Sequence, residues 1–126
     1  MNDHTMNYDN KVFVSAGPQA RSRDVPVGHY HQCDHVVWAE IRGGQVMAGR
    51  LVGTCDPDGT LHFGYTQVMT NGRVVTGTCT SRPEVMSDGR LRLREEWRRH
   101  DEAGSAGVSF IEEVVYDRLG LTSPLS

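Results

Sequence analysis

Lysine is nearly missing from this chain: of 126 residues only Lys11 is a lysine, and the remaining basic character is arginine. Such a bias suggests a GC-rich bacterial genome and carries no mechanism. No long apolar run is present, which argues against a membrane-spanning helix. The opening residues Met1-Asn2-Asp3-His4-Thr5 lack the basic and hydrophobic regions of a secretory signal, so a cytoplasmic location is expected. The net charge of −3 gives no electrostatic case for nucleic acid or an anionic membrane, and neither is expected as a partner. The three cysteines, Cys33, Cys55 and Cys79, are odd in number and have no Cys-x-x-Cys spacing. They read as reduced thiols, mostly small buried hydrophobes, rather than as a disulfide frame. No glycine-rich loop leads into a helix, and there is no internal repeat or low-complexity segment.

What the chain has in quantity is glycine, in turn-forming steps about ten residues apart, the spacing of an all-β meander. Candidate strands are Lys11–Val14, His29–Gln32, Val36–Ile41, Gln45–Thr54, Leu61–Val68, Arg73–Ser81, Leu91–Arg98 and Val108–Tyr116. Between them lie Gly43-Gly44, Asp56-Pro57-Asp58-Gly59, Asn71-Gly72, Ser87-Asp88-Gly89 and the stretch 101–107. Short connections pair each strand with its sequence neighbour, and closing the meander removes its free edges. The expected architecture is therefore all-β: a single antiparallel up-and-down, calycin- or lipocalin-like β-barrel of about eight strands. Residues 1–10 are expected to fray, 11–118 to form the barrel domain and 119–126 to trail as a tail.

The stretch Gly89 to His100 is rich in good helix formers, yet its apolar residues Leu91, Leu93 and Trp97 fall at even spacing, with Arg92, Arg94, Glu96 and Arg98 between them. That is a strand with a solvated arginine face. The same alternation puts Glu95 on the apolar side. A carboxyl there must be paired, hydrogen-bonded or protonated, because an isolated buried charge is costly. It serves either as a structural hydrogen-bonding group or as a ligand-facing acid/base. Leu61, Phe63, Tyr65 and Gln67 share one face, as do Val108, Phe110, Glu112, Val114 and Tyr116, so Tyr65, Gln67 and Glu112 are candidates to meet Glu95. For the last strand Ile111 and Val115 compete for the inward side, and Glu113 is the alternative to Glu112. Two inward carboxyls would raise the pKa of one of them.

His29 and His31 share a face as two metal ligands would, but no third ligand is indicated; no metal and no cofactor is expected. On the opposite face of that strand lie Tyr30 and Gln32, candidate pocket residues. Cys79 and Ser81 alternate with Thr78 and Thr80, and no sequence context ties either to a histidine base.

The pattern resembles a family of short bacterial proteins, often labelled N-acetylglutamate synthase, that are expected to fold as calycin-like barrels. The resemblance covers nearly all of Tyr30 to Glu113. It rests on Tyr30-His-Gln32, Gly43-Gly44, Gly49-Arg-Leu-Val-Gly53, Tyr65-Thr-Gln67, Gly77-Thr-Cys79-Thr-Ser-Arg-Pro-Glu84, Asp88-Gly-Arg-Leu-Arg-Leu-Arg-Glu95-Glu-Trp97 and Ser109-Phe-Ile-Glu-Glu113. It implies a barrel with Tyr, Gln and Glu directed inward. Acetyl transfer is not expected, since the usual pyrophosphate-holding loop and helix are missing.

Three kinds of function fit these features. One is a small-molecule-binding barrel. Another is a cofactor-free cyclase, isomerase or lyase of secondary metabolism, with Glu95 and Tyr65 catalytic and Tyr30, Gln32, Gln67, Cys79, Trp97 and Glu112 around the ligand. The third is a structural or oligomeric barrel whose inner polar groups satisfy one another; a homodimer stays open.

Overall fold

The computed structural model describes residues 6–16 and 25–115. Within them the chain forms eight strands and no helix: β1 Val12–Ser15, β2 Val27–Cys33, β3 Val36–Gly43, β4 Val46–Cys55, β5 Leu61–Met69, β6 Val74–Val85, β7 Leu91–Arg99 and β8 Ala106–Val114. Each strand pairs antiparallel with the next, and β1 pairs with β8, so the sheet closes into a barrel. Closure leaves no unpaired edge. Tyr116, placed by periodicity on the last strand, lies outside the described residues, as do residues 1–5 and 119–126.

Three of the hairpin turns are built alike. In each, an Asp or Asn precedes a glycine at φ 90°, 88° or 91°, at Gly59, Gly72 and Gly89. The side chains of Asp58, Asn71 and Asp88 accept the N–H two residues on, from Thr60, Arg73 and Arg90, at 2.9, 3.0 and 3.0 Å. The glycine supplies the left-handed backbone and the acid or amide replaces a missing main-chain partner. This is why Asp-Gly and Asn-Gly steps marked the joins in the sequence. The β2–β3 turn carries no glycine; Asp34 takes φ 55° there, a conformation that Asp tolerates better than most residues.

Alternation then sorts the side chains. Phe13, Tyr30, Val37, Ala39, Leu51, Cys55, Leu61, Phe63, Cys79, Leu91 and Leu93 point inward and form one buried cluster. The outer surface of β7 carries Arg92 and Arg94, paired with Glu84 and Glu96.

Residues 6–10, expected to fray, are held in place instead. Tyr8 is fully buried, its ring tilted against Phe13 and Tyr30, and its hydroxyl donates to the Gly59 carbonyl at 2.7 Å. An aromatic among polar neighbours has apolar area to bury, and the barrel end beneath the β4–β5 turn accepts it. Strand β6 runs four residues beyond Ser81, through Pro83, which sits opposite Leu93.

Candidate functional site

At the end of the barrel away from Tyr8 the interior opens into a cavity of about 190 Å³. Its apolar walls come from Phe13, Tyr30, Ile41, Leu51, Phe63, Trp97 and Ile111, and its polar groups include Ser15, Tyr65, Gln67, Cys79, Glu95 and Arg99. The cavity is below the roughly 300–1,000 Å³ of drug-sized sites, so it suits a compact molecule.

Room for that cavity is made by glycines opposite its aromatic side chains. Gly77 is the cross-strand partner of Tyr65 and Gly107 that of Trp97. A Cβ at Gly107 would come within 2.5 Å of Trp97 Cζ2, and one at Gly77 would collide with the Tyr65 hydroxyl and the Arg98 carbonyl. Each ring therefore occupies space that a side chain at the paired glycine would fill.

Glu95 sits at the inner end of the cavity, in a row formed by the register of three strands: Ser81 on β6, Glu95 on β7, Ser109 on β8. The two hydroxyls donate to its two oxygens, Ser81 Oγ to Oε2 and Ser109 Oγ to Oε1, each at 3.4 Å. These are long for O–H···O bonds, so they satisfy the carboxyl only weakly. Burial pushes its pKa up to about 7, with the two serines pulling back. Its remaining exposure is to the cavity that it lines.

The neighbours of Glu95 are neutral. Tyr30 has its phenol pKa raised well above the ordinary value, first by burial and then by Glu95 and Cys79. Cys79 has its thiol pushed up to about 12, mainly by burial and next by Glu95. Its Sγ lies 3.7 Å from Ser81 Oγ. A thiol so protonated is a wall group rather than a nucleophile. Tyr65 is raised by burial and drawn back down by the neighbouring Arg99 charge. Arg99 also lies over the Trp97 ring, 5.5 Å from its centre.

Of the residues singled out in the sequence, Glu95, Tyr65, Tyr30, Gln67, Cys79 and Trp97 line this one cavity. Gln32 does not. Its amide accepts the Tyr8 N–H at 2.9 Å and donates to the Asp34 carbonyl at 2.9 Å, fastening the opposite end of the barrel. Glu112 does not either: it faces outward on β8 opposite Arg92, and the inward residues of that strand are Gly107, Ser109, Ile111 and Glu113. Apolar residues occupy both parities of β8, and Phe110 finds its partner outside, under the Arg92 guanidinium at 4.9 Å. Glu113 is buried but remote from Glu95. It accepts the Leu91 N–H and the Lys11 ammonium, both at 3.0 Å. Among the described residues no carboxyl pair forms in the cavity.

His29 and His31 lie outside the barrel; His31 stacks on Trp38 and shares a 2.7 Å hydrogen bond with Glu40. Among the described residues no three His, Cys, Asp or Glu side chains converge as a metal site.

Sequence reasoning missed Arg99, Ser81 and Ser109 as site groups. Continuing the alternation of Leu91, Leu93, Glu95 and Trp97 by two residues reaches Arg99; the expected strand stops one residue short of it. The serines carry no such signal, because only cross-strand register brings them to Glu95.

A closed antiparallel barrel of eight strands, holding a polar-tipped cavity along its axis, defines a calycin-type barrel. The family is more specific: the model described as "Avidin-like protein" matches residues 6–114. The chain belongs to the avidin-like family, whose barrel is of the small-molecule-binding kind. No curated protein and no solved structure matches the chain significantly.

Proposed function

We propose that this barrel encloses one compact, partly apolar molecule in the cavity between Glu95 and Arg99. The observation that carries this reading is the lining: aromatic and aliphatic walls interrupted by a few convergent polar groups, among them Glu95 with only two long hydroxyl contacts. A purely structural interior would fill the axis with side chains and pair its acid. Here the Tyr65 and Trp97 rings sit against Gly77 and Gly107, and a cavity of about 190 Å³ remains inside the walls.

Binding is tested by a thermal-shift screen of compact ring compounds, run in parallel on wild type and on Leu51→Trp. Leu51 lines the cavity and is buried, so the larger ring fills the space. Stabilising compounds whose effect disappears in Leu51→Trp support enclosure. A screen without any hit, or hits that survive the filled cavity, overturns it.

A second reading is favoured by the setting of Glu95, a cavity-lining carboxyl with only two long hydroxyl contacts whose pKa burial pushes up to about 7. A carboxyl poised there can both take and return a proton near neutrality, as a cofactor-free isomerase or cyclase requires, with Tyr65 and Gln67 orienting the substrate. The barrel fold adds analogy alone. With a bound compound in hand, turnover that is lost in Glu95→Gln while affinity persists would establish it; binding without any conversion would leave the first reading.

A further inference from the structure

Glu95 and Arg99 both line the cavity, Glu95 without a cationic neighbour and Arg99 with Asp101 as its nearest acid. Both belong to β7, four residues apart on the inward face, which is about 13 Å of strand. Among the described residues neither enters a salt bridge within 4.0 Å. The groups that face Glu95 from the surrounding strands are Ser81 and Cys79 on β6, Ser109 on β8 and Tyr30 on β2, none of them cationic. Arg99 has Tyr65 and Trp97 beside it. Asp101, the nearest acid on the following turn, feels the Arg99 charge but forms no ion pair with it within 4.0 Å; its oxygens accept the Ser105 N–H and hydroxyl, both at 2.9 Å. The cavity thus carries an acid and a cation on one strand, with apolar walls around them.

A part-buried carboxyl with two long hydroxyl contacts has unused acceptor capacity, and an ammonium or amidinium is the group that satisfies it best. A planar guanidinium with free donors matches a carboxylate. Resting on the reading above that the cavity is a ligand site, we infer that its ligand is a zwitterion: a protonated nitrogen directed at Glu95, a compact flat apolar body against Trp97 and Phe63, and a carboxylate held by Arg99. Neutral molecules of the same shape fill the walls and leave both charged ends unmatched.

The experiment compares four probes on the wild-type chain by titration calorimetry at pH 8 and low salt: 4-(aminomethyl)benzoate, benzoate, benzylamine and 4-methylbenzamide. The zwitterion should bind at least ten-fold more tightly than any of the other three. Glu95→Gln should abolish its advantage over benzoate, and Arg99→Gln its advantage over benzylamine. Benzoate or the neutral amide binding as tightly as the zwitterion overturns the inference, and so does failure of all four probes to bind. The wild-type ranking alone decides this, even if a variant folds poorly. Failure of the zwitterion while other compounds pass the Leu51→Trp control leaves the enclosed cavity standing; only a screen without such compounds removes both.

Discussion

Replacing Glu95 by glutamine should stabilise the protein at alkaline pH and do little at acid pH. The carboxyl titrates at about 7 in the folded chain against an ordinary 4.5. At 1.36 kcal/mol per decade, that difference is about 3 kcal/mol between its protonated and ionised forms. Below pH 4.5 the group is protonated in both folded and unfolded chains, and its full contribution to stability is present. Between 4.5 and 7 the folded chain keeps a proton that the unfolded chain has released, so stability falls as pH rises. Above 7 the fold carries an ionised carboxylate in a site built mainly of neutral groups. Glutamine mimics the protonated form at every pH. Solvent screening at the open cavity softens the effect, so Glu95→Gln should exceed wild type by about 2–3 kcal/mol at pH 8, a rise in Tm on the order of 10 °C for a chain of this size. Near pH 4.5 the two should nearly coincide. Titrating groups common to both proteins cancel in the difference. Urea or thermal melts of both proteins at several values between pH 4.5 and 8 measure it. A difference independent of pH, or a variant less stable than wild type at pH 8, would refute the reasoning, because it would mean that the folded state favours the ionised carboxylate.

Three further outcomes follow from the packing. Gly107→Ala puts a methyl 2.5 Å from the Trp97 ring, so it should cost about 1–3 kcal/mol in urea melts and displace the indole, seen as a changed tryptophan emission. Tyr8→Phe removes the bond to the Gly59 carbonyl and should lower stability by roughly 1–2 kcal/mol; an unchanged melt would show that residue 8 does not seal the barrel. Glu113→Ala strips a partner from both Lys11 and the Leu91 N–H and should cost about 2–3 kcal/mol, whereas Glu112→Ala, on the outer face, should stay within about 0.5 kcal/mol of wild type. Equal effects at the two positions would contradict the inward parity of β8.

Local sequence by itself determined the strands and turns, because both depend on near neighbours. A glycine after Asp or Asn builds its turn from residues within the turn, and the period of two in Leu91, Leu93, Glu95 and Trp97 sets a face whatever lies across from it. Glu95 was therefore legible as an inward carboxyl before any neighbour was known. Tertiary structure decided what alternation leaves degenerate. On β8, with apolar residues at both parities, register against β7 and the Arg92–Phe110 contact turned Glu112 outward and Glu113 in. The seating of Tyr8 depends on the Gly59 carbonyl, 51 residues away, and the use of Gln32 on the Tyr8 N–H, 24 residues away. The serine contacts of Glu95 and the approach of Trp97 to Gly107 likewise arise from residues that meet only across paired strands. Sequence spacing fixes which way a side chain points along its own strand; what it meets there depends on closure of the barrel.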